Sequence, residues 1–231
     1  MKNSKISFIC IFLVTLIFSQ SVFAQFRGFK KVDVRINGKI EPLYKESYAL
    51  LIGVSDYKEF PPLPGVKEDI AEVRLALEKQ GFKVIQIDNP PDKETLDHAF
   101  NDFIIKYGQG NNNRLLFYFA GHGYTVPQNF GEDMGYIVPT QCSNPQKNLN
   151  NFKMDAMSMM QIQIYAASIN SKHALFLFDA CFAGSVFTGS RGLPEAISKN
   201  TTKPVRQFIT SGSKAEKVPD KSEFRNQFIE A

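Results

Sequence analysis

Residues 175–185 read LFLFDACFAGS. Four apolar residues run into an acid, an alanine and a thiol, and small residues follow at Ala183, Gly184 and Ser185. A short continuous apolar run suits a strand buried on both faces. Such a strand has no packing use for a carboxylate and a thiol at its tip. The same pattern occurs upstream, where the apolar run Leu115–Phe119 ends on Ala120-Gly121-His122-Gly123.

Working outward, a third run, YALLIGV (residues 48–54), reads as another buried strand. After the turn Leu63-Pro64-Gly65, the residues Val66, Ile70, Val73 and Leu77 recur at helical spacing, and Gly81 stops the helix. Phe82–Ile87 is a strand. Leu96, Phe100, Phe103 and Ile104 then mark a second helix that ends before Gly108. A short strand is expected at Tyr136–Val138, a helix over Met154–Ser168, strands at Ala174–Phe178 and Val205–Thr210, and a helix from Ser222. The methionines of the 154–168 segment, Met154, Met157, Met159 and Met160, read as core or interface filler. Residues 25–46 read as an arm or small hairpin around Asn37-Gly38. Strands alternating with helices predict a parallel sheet covered on both faces. In such sheets reactive groups gather at the carboxyl ends of the strands. His122 and Cys181 would then share one crevice.

Residues 1–24 carry Lys2 and Lys5, an apolar run and the exit Val22-Phe23-Ala24. They read as a cleaved secretory signal, which places the mature chain outside the cell or in the periplasm, with no stable membrane association. Without them 25 basic residues face 23 acidic ones, from 27 and 23 in the whole chain. No basic stripe remains, so nucleic acid is not an expected partner. Two cysteines stay in the mature part, Cys142 and Cys181, and in an exported protein they could pair as a disulfide. The histidines and cysteines have no metal-ligand spacing. His98 sits on the polar half of a helix, His173 at the start of a strand, and Cys142 has no assigned role.

A thiolate is a strong nucleophile, and an imidazole within hydrogen-bond or one-water reach can take the thiol proton and return it to a leaving amine. Gly121, Gly123 and Gly184 would let a substrate backbone approach and free N–H groups to hold an oxyanion.

YFAGHGY (118–124) and DACFAGS (179–185), together with YALLIGVSDY (48–57), resemble the active-site motifs of caspase-like cysteine peptidases, metacaspases most of all. The resemblance spans about residues 48–231. It implies an α/β fold, a caspase-like three-layer α/β/α sandwich with a mostly parallel central sheet, over residues 47–231. It implies Cys181 as nucleophile, His122 as general acid–base, the N–H groups of Gly123 and Cys181 as oxyanion hole, and polypeptide substrates. Calcium is possible by the same resemblance, with Glu132 and Asp133 the nearest acids after His122, although no cofactor is required for the chemistry. The family's sheet usually has a sixth strand and closing helices, so the C-terminal part reads as incomplete. The loop 185–204, with Arg191, Lys199 and Lys203, reads as a self-processing linker. Asp179 stands where caspases carry glutamine, so a preference for aspartate substrates does not transfer. Asp179, with Asp69 in the first turn of the helix after the first strand, where the helix N-terminus would help keep it ionised, is expected to bind a cationic substrate side chain, arginine before lysine. Two alternatives stand beside this reading: a peptidase of other side-chain preference, and a catalytically silent binding module, truncated or locked by a Cys142–Cys181 disulfide.

Overall fold

The computed structural model describes residues 33–36, 39–131, 133–181, 204–212 and 222–230, with side chains from Pro42 onward apart from Cys181. The leader 1–24, Glu132 and nearly all of the loop 185–204 lie outside the described residues. Strands β1 (Asp33–Ile36) and β2 (Lys39–Pro42) pair antiparallel, with Ile36 opposite Lys39.

Among the described residues the central sheet has five strands. They are β3 (Glu46–Gly53), β4 (Lys83–Asp88), β5 (Asn113–Ala120), β9 (His173–Cys181) and β10 (Val205–Gly212), in the order β10-β9-β5-β3-β4. Every pairing is parallel. The apolar runs are continuous because alternate residues feed two separate cores. Leu50, Ile52, Phe117, Phe119, Phe176 and Phe178 face helices α2 (Lys93–Tyr107) and α4 (Met159–Ala167). Ala49, Leu51, Leu116, Tyr118 and Leu177 face α1 (Gly65–Lys79) and, through Phe224 and Phe228, α5 (Glu223–Glu230). The result is the three-layer α/β/α sandwich that the sequence predicts.

A small antiparallel sheet follows β5, formed by β6 (Gly123–Val126), β7 (Met134–Ile137) and β8 (Met157–Ser158). Here the structure departs from the expected single helix over 154–168. One short helix, α3 (Leu149–Asp155), ends at Ala156, whose backbone is extended. Met157 then pairs with Ile137, and Ser158 starts α4 by accepting a hydrogen bond from the backbone N–H of Gln161. Met157 and Met159 are buried as core filler, whereas Met154 and Met160 are exposed.

Candidate active site

The register aligns the two motifs. Ala120 of β5 lies opposite Asp179 of β9, and the Gly121 N–H extends the ladder by donating to the Asp179 carbonyl at 3.2 Å. His122 and Cys181 each come two residues after that pair, at the carboxyl end of adjacent central strands. The position of Cys181 is set by the backbone of β9, which pairs it with Gly212. The register between β9 and β10 is irregular at this end: Thr210 lies opposite Phe178, whereas Gly212 lies opposite Cys181. A bulge of this kind re-aims the end of a strand, and bulges gather beside reactive sites.

Two further residues hold His122. Its N–H donates to the Tyr57 hydroxyl at 2.7 Å, and the two rings pack with centroids 4.6 Å apart. Its Nε2 lies 2.8 Å from the Pro61 carbonyl oxygen. A carbonyl only accepts, so Nε2 carries the proton and Nδ1 of the neutral ring is left as the acceptor. The loop that delivers Pro61 is pinned at its base. Asn89, in the left-handed region at φ 50°, accepts from the N–H groups of Ser55 (2.8 Å) and Asp56 (3.1 Å). Asparagine tolerates that conformation better than most residues. The Leu63 N–H closes the loop onto the Ser55 carbonyl at 2.9 Å. Burial pushes the His122 pKa below its ordinary 6.5, and the Pro61 hydrogen bond opposes this. Tyr57 and Pro61 were missed in the sequence because a tyrosine in an apolar motif reads as packing and a main-chain carbonyl leaves no residue-type signal.

The two acids lie on the α1/α5 side of the sheet. Asp179 is buried, and its Oδ2 accepts from the Tyr118 hydroxyl at 3.2 Å and from the Ser222 hydroxyl at the start of α5. Its Oδ1 is buried and has no hydrogen-bond partner among the described residues. Asp69 is also buried and pairs with Nη1 of Arg225 at 3.0 Å, and the same nitrogen reaches Glu72 at 2.7 Å. Asp69 is the fifth residue of α1, deeper than the first turn where the sequence reading placed it; Glu68 is the acid of that turn. The helix N-terminus therefore does little to keep Asp69 ionised. Burial dominates and raises its pKa to about 6, opposed by Arg225 and assisted by Asp179. Neither acid is a cap or a turn acid: the N-cap of α1 is Pro64, and Asp179 is held by side-chain hydroxyls.

The remaining candidates separate from this site. Cys142 is a free thiol buried among Phe152, Tyr136 and Val138, and burial raises its pKa to about 12. At that value it is a poor nucleophile at neutral pH. His98 pairs with Glu94 on an exposed helix face. His173 packs edge-on against Tyr44 at the opposite end of β9. Among the described residues no group of three or more His, Cys, Asp or Glu could hold a metal ion; Glu132, one of the two acids named for calcium, lies outside them.

A fold with histidine and cysteine positions at the tips of adjacent central strands defines a caspase-like peptidase domain. The chain matches the family model described as the caspase domain over residues 46–226, and it belongs to that family of cysteine peptidases. Among curated relatives, human mucosa-associated lymphoid tissue lymphoma translocation protein 1 is 34% identical over 110 residues, which is 48% of this chain and 12% of that protein. Its mouse homolog matches with the same identity and coverage. The match thus spans about an eighth of the length of these relatives.

Proposed function

We propose that the chain is a cysteine endopeptidase that works through a Cys181–His122 dyad and cleaves after arginine in preference to lysine. The observation that carries the dyad is the parallel register of β5 and β9, which brings both positions to one end of the sheet, with His122 held through Nε2. In this reading Nδ1 takes the Cys181 thiol proton, and the thiolate attacks the scissile carbonyl carbon. The N–H groups of Gly123 and Cys181 receive the oxyanion. As the tetrahedral species collapses, the C–N bond breaks and the imidazolium gives its proton to the leaving amine. A water then attacks the thioester, its proton passes to His122, and the carboxylic acid leaves as the thiol is restored. The depressed His122 pKa keeps the ring neutral and able to accept at pH 7.

The cation preference is supported by Asp69 and Asp179, two buried acids on the same side of the sheet, and by the unpartnered Oδ1 of Asp179. A buried acceptor without a donor is costly, and a guanidinium would supply two. The same proposal has residues 1–24 removed on export, which N-terminal sequencing of the mature protein checks. The test of function is a panel of fluorogenic peptides ending in Arg, Lys, Asp or Leu. Turnover is expected after Arg and then Lys, and Cys181→Ala should abolish it while the fold is retained. Undiminished turnover by purified Cys181→Ala would remove the dyad, and cleavage after Asp or Leu would remove the acid pocket.

A further inference from the structure

The acids proposed to read a substrate cation are already engaged by this chain's own helix α5. Arg225 lies on Asp69 and Glu72, Ser222 lies on Asp179, and the Ser222 hydroxyl also caps α5 by accepting from the Arg225 N–H at 2.9 Å. One turn of helix thus touches both acids. We propose that Arg225 is an internal occupant of the cation pocket, which a substrate arginine must displace; this rests on the specificity proposed above.

The fit of Arg225 is that of a replaceable ligand. A guanidinium recognises a carboxylate best as a fork, with two parallel N–H···O bonds. Arg225 makes no fork. Its Nη1 serves both Asp69 and Glu72, its Nη2 donates to the Asn226 side chain at 2.8 Å, and its buried Nε has no partner among the described residues. Asp179, which Ser222 of the same turn touches through Oδ2, has its Oδ1 buried without a donor among the described residues. An idle donor and an idle acceptor are therefore left in one cluster. An arginine that enters along the substrate chain, free of the α5 backbone, can satisfy Asp179 as Arg225 does not. The helix is also weakly held: none of its residues is fully buried, and it packs mainly through Phe224 and Phe228, each only partly buried. Elements with few buried contacts open at low free energy. In the closed arrangement both acids are shielded from water, so a substrate side chain reaches them only when the first turn of α5 withdraws.

An internal competitor lowers apparent affinity by the fraction of molecules in which the pocket is free. Arg225→Gln should therefore lower KM for an arginine peptide by about tenfold, with a smaller change in kcat, if about one molecule in ten has an open pocket. The matched peptide with citrulline, a neutral isostere that the acids do not hold in the pocket, should show no such gain. The double variant Asp69→Asn/Arg225→Gln should lose the gain, because the acid that profits is gone. A merely structural Arg225 predicts the reverse: Arg225→Gln raises KM for both peptides, and the double variant recovers stability. Should Arg225→Gln fail to fold, Arg225→Lys and Ser222→Ala carry the test, each expected to lower KM for the arginine peptide selectively. Wild-type preference for arginine over citrulline with unchanged or raised KM in these variants overturns the internal occupant and leaves the proposed specificity standing. No wild-type preference for arginine over citrulline overturns both.

Discussion

The fixing of His122 can be tested through Gly121 and Tyr57. A Cβ built on Gly121 would lie 2.6 Å from the Tyr57 hydroxyl, 3.0 Å from Phe119 Cζ and 3.2 Å from Val54 Cβ. Gly121 is not in the left-handed region, so alanine meets no backbone penalty there and the cost is steric. The tightest contact is with the atom that accepts from the His122 N–H, and Tyr57 is packed against Phe60 and His122, so the ring has little room to retreat. Overpacking of this kind costs about 1–3 kcal/mol. Tyr57→Phe deletes the same oxygen and leaves the His122 N–H without its partner, which also costs about 1–3 kcal/mol. The two losses should not add. With the hydroxyl gone, the added methyl keeps only the milder contacts with Phe119 and Val54. The double variant should therefore be less destabilised than the sum by about 1–2 kcal/mol, within the range seen for residues in contact. Urea unfolding of all four proteins measures this cycle, and for a domain of this size each kcal/mol also moves Tm by about 2–4 °C. Turnover should fall most in Gly121→Ala, because the main chain of His122, the proposed acid–base residue, is displaced. Additive losses, or a neutral Gly121→Ala, would refute the claim that Tyr57 sets the position of His122.

Three further outcomes are expected. For Asp69 the folded pKa of about 6 lies above the ordinary 3.8, so its protonated form favours folding; that contribution is full below about 3.8 and is lost as pH rises through about 6. Ionised Asp69 favours a bound cation, so kcat/KM for arginine peptides should rise through pH 6 with a limb that is missing for citrulline peptides and in Asp69→Asn; identical profiles would exclude Asp69 from the pocket. Tyr118→Phe removes a donor from a buried carboxylate and should cost about 1.5–3 kcal/mol in chemical denaturation, whereas a loss below about 0.5 kcal/mol would place it among the neutral surface changes and refute the contact. Intact-mass spectra of active enzyme should show two chains with a break after Arg191, Lys199 or Lys203, with Cys181→Ala uncut; active enzyme that stays a single chain would remove self-processing at loops, which are otherwise the favoured sites of nicking.

What could be read directly from the sequence is what depends on local periodicity. The apolar runs of β3, β5 and β9 announce strands buried on both faces, and the helical stripes of α1 and α2 announce the layers above and below. The two motifs end those runs, so the shared crevice follows from adjacency of β5 and β9. The break within residues 154–168 is different. Methionine, isoleucine, glutamine and alanine all suit a helix, and their propensities pointed to a single one. The pairing of Met157 with Ile137 decides instead, which is a tertiary contact overriding a weak local preference. A signal was nevertheless present: Ser158 followed three residues later by Gln161 is a helix-start pattern, and the Ser158 side chain does accept from the Gln161 N–H.

The acid side of the site shows why a charge pattern leaves its occupant open. Asp69 and Asp179 lie far apart in the chain and come together because α1 and β9 face the same layer. Their meeting puts two buried carboxylates, Asp69 and Asp179, beside the half-exposed Glu72, and among the described residues the guanidinium of Arg225 is what faces them. Such a region carries unmatched negative charge, which burial makes expensive. Relief comes by protonation or by a cation. The raised pKa of Asp69 is the first response, and Arg225 is a partial instance of the second. A substrate arginine would complete it. One electrostatic imbalance thus accounts for the shifted Asp69, for the idle oxygen of Asp179 and for the docking of a helix with no fully buried residue. It also sets the order of affinity expected of small probes: agmatine, a guanidinium, should bind Cys181→Ala more tightly than putrescine, an ammonium of similar length. Equal affinities in calorimetry would mean that the pocket reads charge alone and not the planar fork, and arginine would lose its advantage over lysine.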